Sequence, residues 1–459
     1  MRRMKGKNLA ILAAVVIAVL AYILLIERHR PTSEEMKSEA EKVLQDFDRD
    51  QVTSIVIERD SGRVWLEKVG ETWRLREPLD FAADESAVNS TLGTLANLQA
   101  DRRLSADKID PEAYGLDDPP ITIRLRTGDG GETVLDISDE MPLGSKRALR
   151  LAGAGEIMVV PGWFVSDLER EVDDWRSREV VGISEDQVAS IEIGAGEDRI
   201  RAVRLDESWQ LLQPVDDLGD RDHLQSLVRD LDSLRIEGFL DGPVDLGDLG
   251  LDAPEYEITV IRADGGEPLR LELGSTREGE NGTEVACRRG DGEFFWSSEK
   301  VRTRLSKAPV LWRSKKVMPF ETWDVEGLGI SRGGDGIELE QVAGLWRFAR
   351  DDAEASYSAV QDRLTKLADL EATDYDLMAP MTAEMGRAEV VLKAADDETE
   401  GRVLRFEFFE PLSEGGRAMV RVGGRNNVMG VEAADVDTIL GDFESLRSNS
   451  PERDVADGE

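Results

Sequence analysis

The chain has 459 residues, 40% apolar and 33% charged, with 95 Asp and Glu against 57 Lys and Arg and a formal net charge of -38 at pH 7. That length exceeds one ordinary core and predicts two to four domains. The acidic surplus disfavours nucleic acid and anionic bilayer surfaces as partners, since both would repel it, and leaves basic proteins, cations or plain solvation. Cys287 stands alone and cannot form an intramolecular disulfide. With only His29 and His223 beside it, the chain lacks an ordinary Cys/His zinc set, and Ser-His-Asp or Cys-His catalysis is disfavoured.

Residues 1–7, MRRMKGK, form a basic tip with Arg2, Arg3, Lys5 and Lys7. Residues 8–26 are predicted to be a transmembrane anchor, because Leu9 to Ile26 is an unbroken apolar run. At about 1.5 Å rise per residue such a run spans most of a hydrocarbon core of roughly 30 Å. It leads straight into Glu27-Arg28-His29-Arg30-Pro31 without a small-residue cleavage site, so an uncleaved anchor is favoured over a signal peptide. The charge bias places the tip in the cytoplasm and the bulk of the chain outside it. Residues 27–50 read as a charged helical stalk, with Thr32 and Glu35 at capping-box spacing.

A threefold repeat follows. Asp84 precedes Val88, Leu92, Leu95 and Leu98; Asp220 precedes Leu224, Val228, Leu231 and Leu234; Ser356 precedes Val360, Leu364, Leu367 and Leu370, each position 136 residues from its counterpart. The spacing is that of one buried helical face behind an N-cap residue. Trp73, Trp209 and Trp346 lie at similar distances ahead of these helices and are predicted to be core residues. Ahead of each tryptophan an alternating stretch, VTSIVI, VASIEI or VEGLGI, reads as a strand of a hairpin. Trp175 in WRSREV and Trp312 in WRSKKV close the first two units, and the third ends on LRS.

Between helix and second strand set the chain writes YGLDDPP at Tyr114 to Pro120 and LGLDAP at Leu249 to Pro254. The pattern predicts a helix-to-strand joint. Gly115 and Gly250 take a left-handed helix end, Leu116 and Leu251 plug the core, Asp117 and Asp252 bond nearby backbone, and Pro119 and Pro254 stiffen the way into the strand. In the third unit Gly386 is expected to keep the helix stop, with Arg387-Ala388 replacing Leu-Asp.

The expected fold class is therefore α+β: a single N-terminal transmembrane helix, then three related units with antiparallel sheets. The units are placed at 51–183, 184–320 and 321–447, the last divergent, with an acidic disordered tail at 448–459.

These motifs resemble the bacterial Domain of Unknown Function 4340 family. Trp73, Leu75, Pro78, Tyr114, Gly115, Leu116, Asp117 and Pro119 match its pattern, as do Trp209, Leu211, Pro214, Gly250, Leu251, Asp252 and Pro254. The likeness runs from about Val52 to Val317 and is weak in the third unit. It implies a single-pass protein of the bacterial inner membrane, periplasmic in bulk, that serves an ABC-type permease or a gliding-motility-like auxiliary protein. It attributes no catalytic residue or cofactor to the chain.

Candidate chemistry is sparse. His223 reads as a surface histidine of its helix, the glycine clusters at Gly153 and Gly333 as hairpin turns, and Asp46-Phe47-Asp48-Arg49-Asp50 as a failed calcium loop, since Gln51 stands where that loop needs glycine. Paired carboxylates for glycoside hydrolysis occur by chance in so acidic a chain. The favoured function is a non-enzymatic membrane-anchored binding or scaffolding protein. The alternatives are a carboxylate-dependent envelope glycan hydrolase and a periplasmic ligand- or cation-binding module.

Overall fold

A computed structural model describes residues 41–447 apart from 106–110, 142–143, 207, 291, 307–308, 376–381, 394–400, 412–416 and 426. The expected tip, anchor and tail, and the stalk up to residue 40, lie outside the described residues. The chain divides into two compact units after Arg178, the first holding repeat one and the second repeats two and three.

Repeat one comprises β1 (Val52–Arg59), β2 (Gly62–Val69), β3 (Thr72–Glu77), β4 (Phe81–Ala82), helix α1 (Glu85–Asn97), β5 (Arg102–Ser105), β6 (Ile121–Thr127), β7 (Glu132–Glu140), β8 (Lys146–Leu151), β9 (Glu156–Pro161) and the short helix α2 (Val165–Leu168). Its nine strands form one sheet in the order β4-β3-β2-β1-β6-β7-β8-β9-β5.

Repeat two runs β10 (Val188–Ala195), β11 (Asp198–Leu205), β12 (Ser208–Gln213), β13 (Asp217–Leu218), α3 (Arg221–Asp232), β14 (Ile236–Leu240), β15 (Tyr256–Arg262), β16 (Leu269–Gly279), β17 (Gly282–Arg289), β18 (Glu293–Ser298) and α4 (Lys300–Leu305). Its sheet order is the same: β13-β12-β11-β10-β15-β16-β17-β18-β14. Repeat three is shorter, with β19 (Val325–Arg332), β20 (Asp335–Val342), β21 (Leu345–Phe348), α5 (Tyr357–Ala368), β22 (Glu384–Leu392), β23 (Val403–Phe409), β24 (Ala418–Val422), β25 (Val428–Val431) and α6 (Ala433–Leu440). Its described strands form a seven-stranded sheet, β21-β20-β19-β22-β23-β24-β25.

The strand pairs are antiparallel and the helices lie over the sheets, which is an α+β arrangement. The three long helices begin alike: the side chains of Asp84, Asp220 and Ser356 accept from the amides of Ala87, His223 and Ala359. Each cap satisfies an amide that has no partner inside the helix. The predicted apolar stripes are buried in all three helices. A register shift recurs in the first strand of each repeat, between Val52 and Ser54, Val188 and Ser190, and Val325 and Gly327. It turns Val52 and Ile55 to the same core face despite their odd spacing.

The other sheet face carries Arg–Glu pairs on neighbouring strands, such as Arg76–Glu67 at 2.9 Å, Arg126–Glu132 at 3.1 Å and Arg405–Glu389 at 2.9 Å. Cross-strand pairs of this kind place part of the charge in the sequence on a solvated face. Among the described residues no helix is long and apolar enough to cross a membrane. The part of the expected stalk that is described is not a continuous helix: Lys42 bridges to Gln99, and Arg49–Gln51 is a single 3-10 turn capped by Asp48.

Candidate functional site

The tryptophans singled out by the repeat are internal. Trp209, Trp346, Trp175 and Trp312 are at most 1% exposed and Trp73 is 6% exposed. The joint residues behave in part as predicted. Gly115 and Gly250 have φ of +67° and +65°, and Leu116 and Leu251 are buried in small apolar clusters with Ala148 and Ile157 in one case and Ala286 and Trp296 in the other. Tyr114 packs on the first cluster, Pro119 and Pro254 are half-buried, and Asp117 and Asp252 point to solvent.

Two expectations are corrected. Gly386 ends no helix; it lies inside β22, paired with Arg332. A Cβ at Gly386 would sit 2.3 Å from the Ser331 carbonyl oxygen and 2.9 Å from Leu440 Cδ1, so close approach of the β19 backbone and of α6, not left-handed backbone, demands glycine here. His223 is not a surface histidine. It is 7% exposed, and its ring meets Trp312 edge-on with centroids 4.5 Å apart, because the first turn of α3 backs onto the closing tryptophan.

The closing motif gives the repeats a common lock. The amides of Asp84, Asp220 and Ser356 donate to the carbonyls of Trp175, Trp312 and Leu446 at 2.8 to 2.9 Å, so each closing segment returns to the N-cap of its own long helix. The next residue in each is arginine. Arg176 stacks 4.4 Å over Phe81 and pairs with Asp173. Arg447 stacks 4.7 Å over Phe348 and pairs with Asp351. Arg313 stacks 4.0 Å over Tyr375 and pairs with Asp217.

A second joint recurs where the chain enters each repeat. Val43, Val180 and Val317 are buried, and their amides donate to Leu98, Leu234 and Leu370, the last stripe residues of the long helices. Arginines cap the carbonyls of these incoming segments: Arg103 donates to Lys42, Arg289 to Glu179 and Val180, and Arg425 to Lys316 and Val317. The valines sit 137 residues apart. That period was legible, but a single valine is too common a residue to stand out.

At the joint of repeats two and three these devices meet. Asp217 Oδ1 accepts from Arg425 Nε at 2.6 Å and from the Leu218 amide at 2.8 Å, while Oδ2 accepts from Arg313 Nε at 2.6 Å. The Tyr375 hydroxyl donates to the Ser314 carbonyl at 2.8 Å and thereby holds the ring against Arg313. Burial pushes the Asp217 carboxyl up, but the bond and charge of Arg425 and the charge of Arg313 outweigh it and hold the group below the usual carboxylate range. Burial raises the Tyr375 phenol. No sequence motif marked Asp217, Tyr375 or Arg425, since their contacts join distant segments.

Recesses lie elsewhere. One of about 490 Å³ beside Val43 to Asp48 is lined by Arg103, Asp129 and Glu156 as well. Another of about 640 Å³ in repeat three is lined by Gly329, Gly336, Phe348, Arg350, Arg387 and Glu389. Asp48 is engaged as a helix cap to the Asp50 amide and Gln51. Among the described residues no group of three or more His, Cys, Asp or Glu is placed to hold a metal ion.

The family described as "Domain of unknown function (DUF4340)" matches the chain at residues 73–254 and 241–389, more than half of its length. The match starts at Trp73 and reaches into repeat three, beyond the likeness read from the motifs. No curated protein matches the chain.

Proposed function

The chain belongs to the DUF4340 family, and from that premise we propose that it is a membrane-anchored, extracytoplasmic binding and scaffolding protein that assists an ABC-type transport complex. One observation carries the reading: the residues that define the repeats are consumed in cores and joints, as with Trp209, Trp312, Leu251 and Val317. A motif repeated for chemistry would converge on a cleft, whereas this one builds the framework.

Five aspartates are tied into turns and joints. Asp129, Asp186, Asp217, Asp264 and Asp351 are all held below the ordinary aspartate range, through bonds from Thr127, Ser184, Arg425, the Gly266 amide and the Ala353 amide among other causes. These five are therefore not the raised carboxyl that a general acid for glycan hydrolysis needs.

The repeats also share an exposed feature. Val69, Leu205 and Val342 end the second strand of each repeat and are 45%, 53% and 51% exposed. Three equivalent aliphatic tips offer a partner the same small apolar contact three times.

The test is affinity purification of the full-length protein from gently solubilised membranes, beside a form in which a cleavable signal replaces residues 1–26. Recovery of a permease and its ATPase with the full-length form supports the proposal. Recovery with both forms assigns the contact to the folded repeats, and recovery with neither ends the transport reading.

A further inference from the structure

We propose that Asp217 is a latch that makes repeats two and three one mechanical body. The chain supplies its own controls. Three residues ahead of the long-helix N-cap, where repeat two has Asp217, repeat one has Phe81 and repeat three has Ala353. Arg176 and Arg447 nevertheless close their repeats, through aromatic stacking and an acid from a neighbouring turn. An acid at this position is therefore not needed to close a repeat.

Nor is it needed to hold the incoming segment. Arg289 caps the Glu179 and Val180 carbonyls much as Arg425 caps those of Lys316 and Val317, yet Arg289 turns its Nε to Glu293 of its own hairpin. Of the two, it is Arg425 that sends its Nε back into the preceding repeat, to Asp217. The carboxylate thus adds one function to two that already work: it ties the closing arginine of repeat two to the carbonyl-capping arginine of repeat three.

The side chains are 0% exposed for Asp217 and 1% for Arg425, so water does not compete for the pair, and any hinge opening takes Arg425 from its carboxylate while Asp217 keeps Arg313. In the latch, the work of the pair is to fix one arrangement of the two repeats. Displacement of repeat three is then transmitted to repeat two without slack at the joint. This inference stands apart from the transport reading and does not need it.

The experiment uses the full-length chain in detergent, with spin labels at Asp198→Cys and Asp335→Cys, the exposed first residues of β11 and β20, in a Cys287→Ala background. A narrow distance distribution is expected in the parent and at least a twofold broadening in Asp217→Asn, which keeps the Arg425 caps on the Lys316 and Val317 carbonyls, or in Asp217→Asn/Arg425→Met. An unchanged width in whichever variant folds overturns the latch. Hydrogen exchange of the unaltered protein decides the matter if neither folds: the Val317 and Ala372 amides at the joint are expected to open together with Trp209 and Leu211. Separate, earlier opening of the joint overturns the proposal.

Discussion

Asp217 and Arg425 meet at 2.6 Å although 208 residues separate them in sequence. With Arg313 on the other carboxylate oxygen, a single acid is shared by two buried cations. Removing the acid leaves both guanidinium groups facing each other away from water.

Asp217→Asn should therefore destabilise the second compact unit by about 3–5 kcal/mol, the range for a broken buried ion pair. The double variant Asp217→Asn/Arg425→Met should recover part of that loss, because it also removes one of the stranded charges. Urea unfolding of the three proteins gives the comparison. A single-variant loss below about 1 kcal/mol is incompatible with a desolvated pair.

The same group sets an acid limit. Since the Asp217 pKa is depressed on folding, its contribution is fully present above the unfolded aspartate value of about 3.9 and is lost as pH falls through the lower folded value. Stability of the parent should fall more steeply than that of Asp217→Asn below about pH 4, by up to about 1.4 kcal/mol per pH unit for one proton. Parallel acid limbs in the two proteins would remove Asp217 from this account.

The three glycines read as equivalent differ in what they require. Gly250→Ala meets both a φ of +65° and the Ser275 amide nitrogen at 2.9 Å, whereas Gly115→Ala meets φ of +67° with its nearest atom, Ser138 Cβ, at 3.9 Å. Loss of about 1 kcal/mol is expected for Gly115→Ala and more for Gly250→Ala. Gly386→Ala has no φ penalty, but it collides with the Ser331 carbonyl and should push α6 away. Thermal unfolding ranks the three, and equal losses would contradict the geometry.

This difference shows where the sequence was legible. Helix caps, apolar stripes and the Gly-Leu joints are local, so Asp84, Asp220, Leu116 and Leu251 could be placed from spacing alone. Gly386 was misread because glycine marks both left-handed turns and close packing, and only the tertiary positions of Ser331 and Leu440 separate the two. His223 was misplaced because helical periodicity fixes a face but not the neighbour that covers its first turn, here Trp312. The Asp217 cluster was invisible because its members come from β13, the closing segment and the loop after β24, and each alone is an ordinary charged residue.

The aliphatic tips separate binding from folding. Val69, Leu205 and Val342 are about half exposed, so replacing all three by serine removes little buried surface, and each change should alter stability by no more than about 0.5 kcal/mol. If the tips carry partner contact, the triple variant should lose most of the permease recovered with the parent while keeping its urea midpoint. Undiminished recovery would move the contact elsewhere on the repeats. A lowered midpoint would mean that the tips support their own hairpins, and the outcome therefore distinguishes a docking role from a structural one.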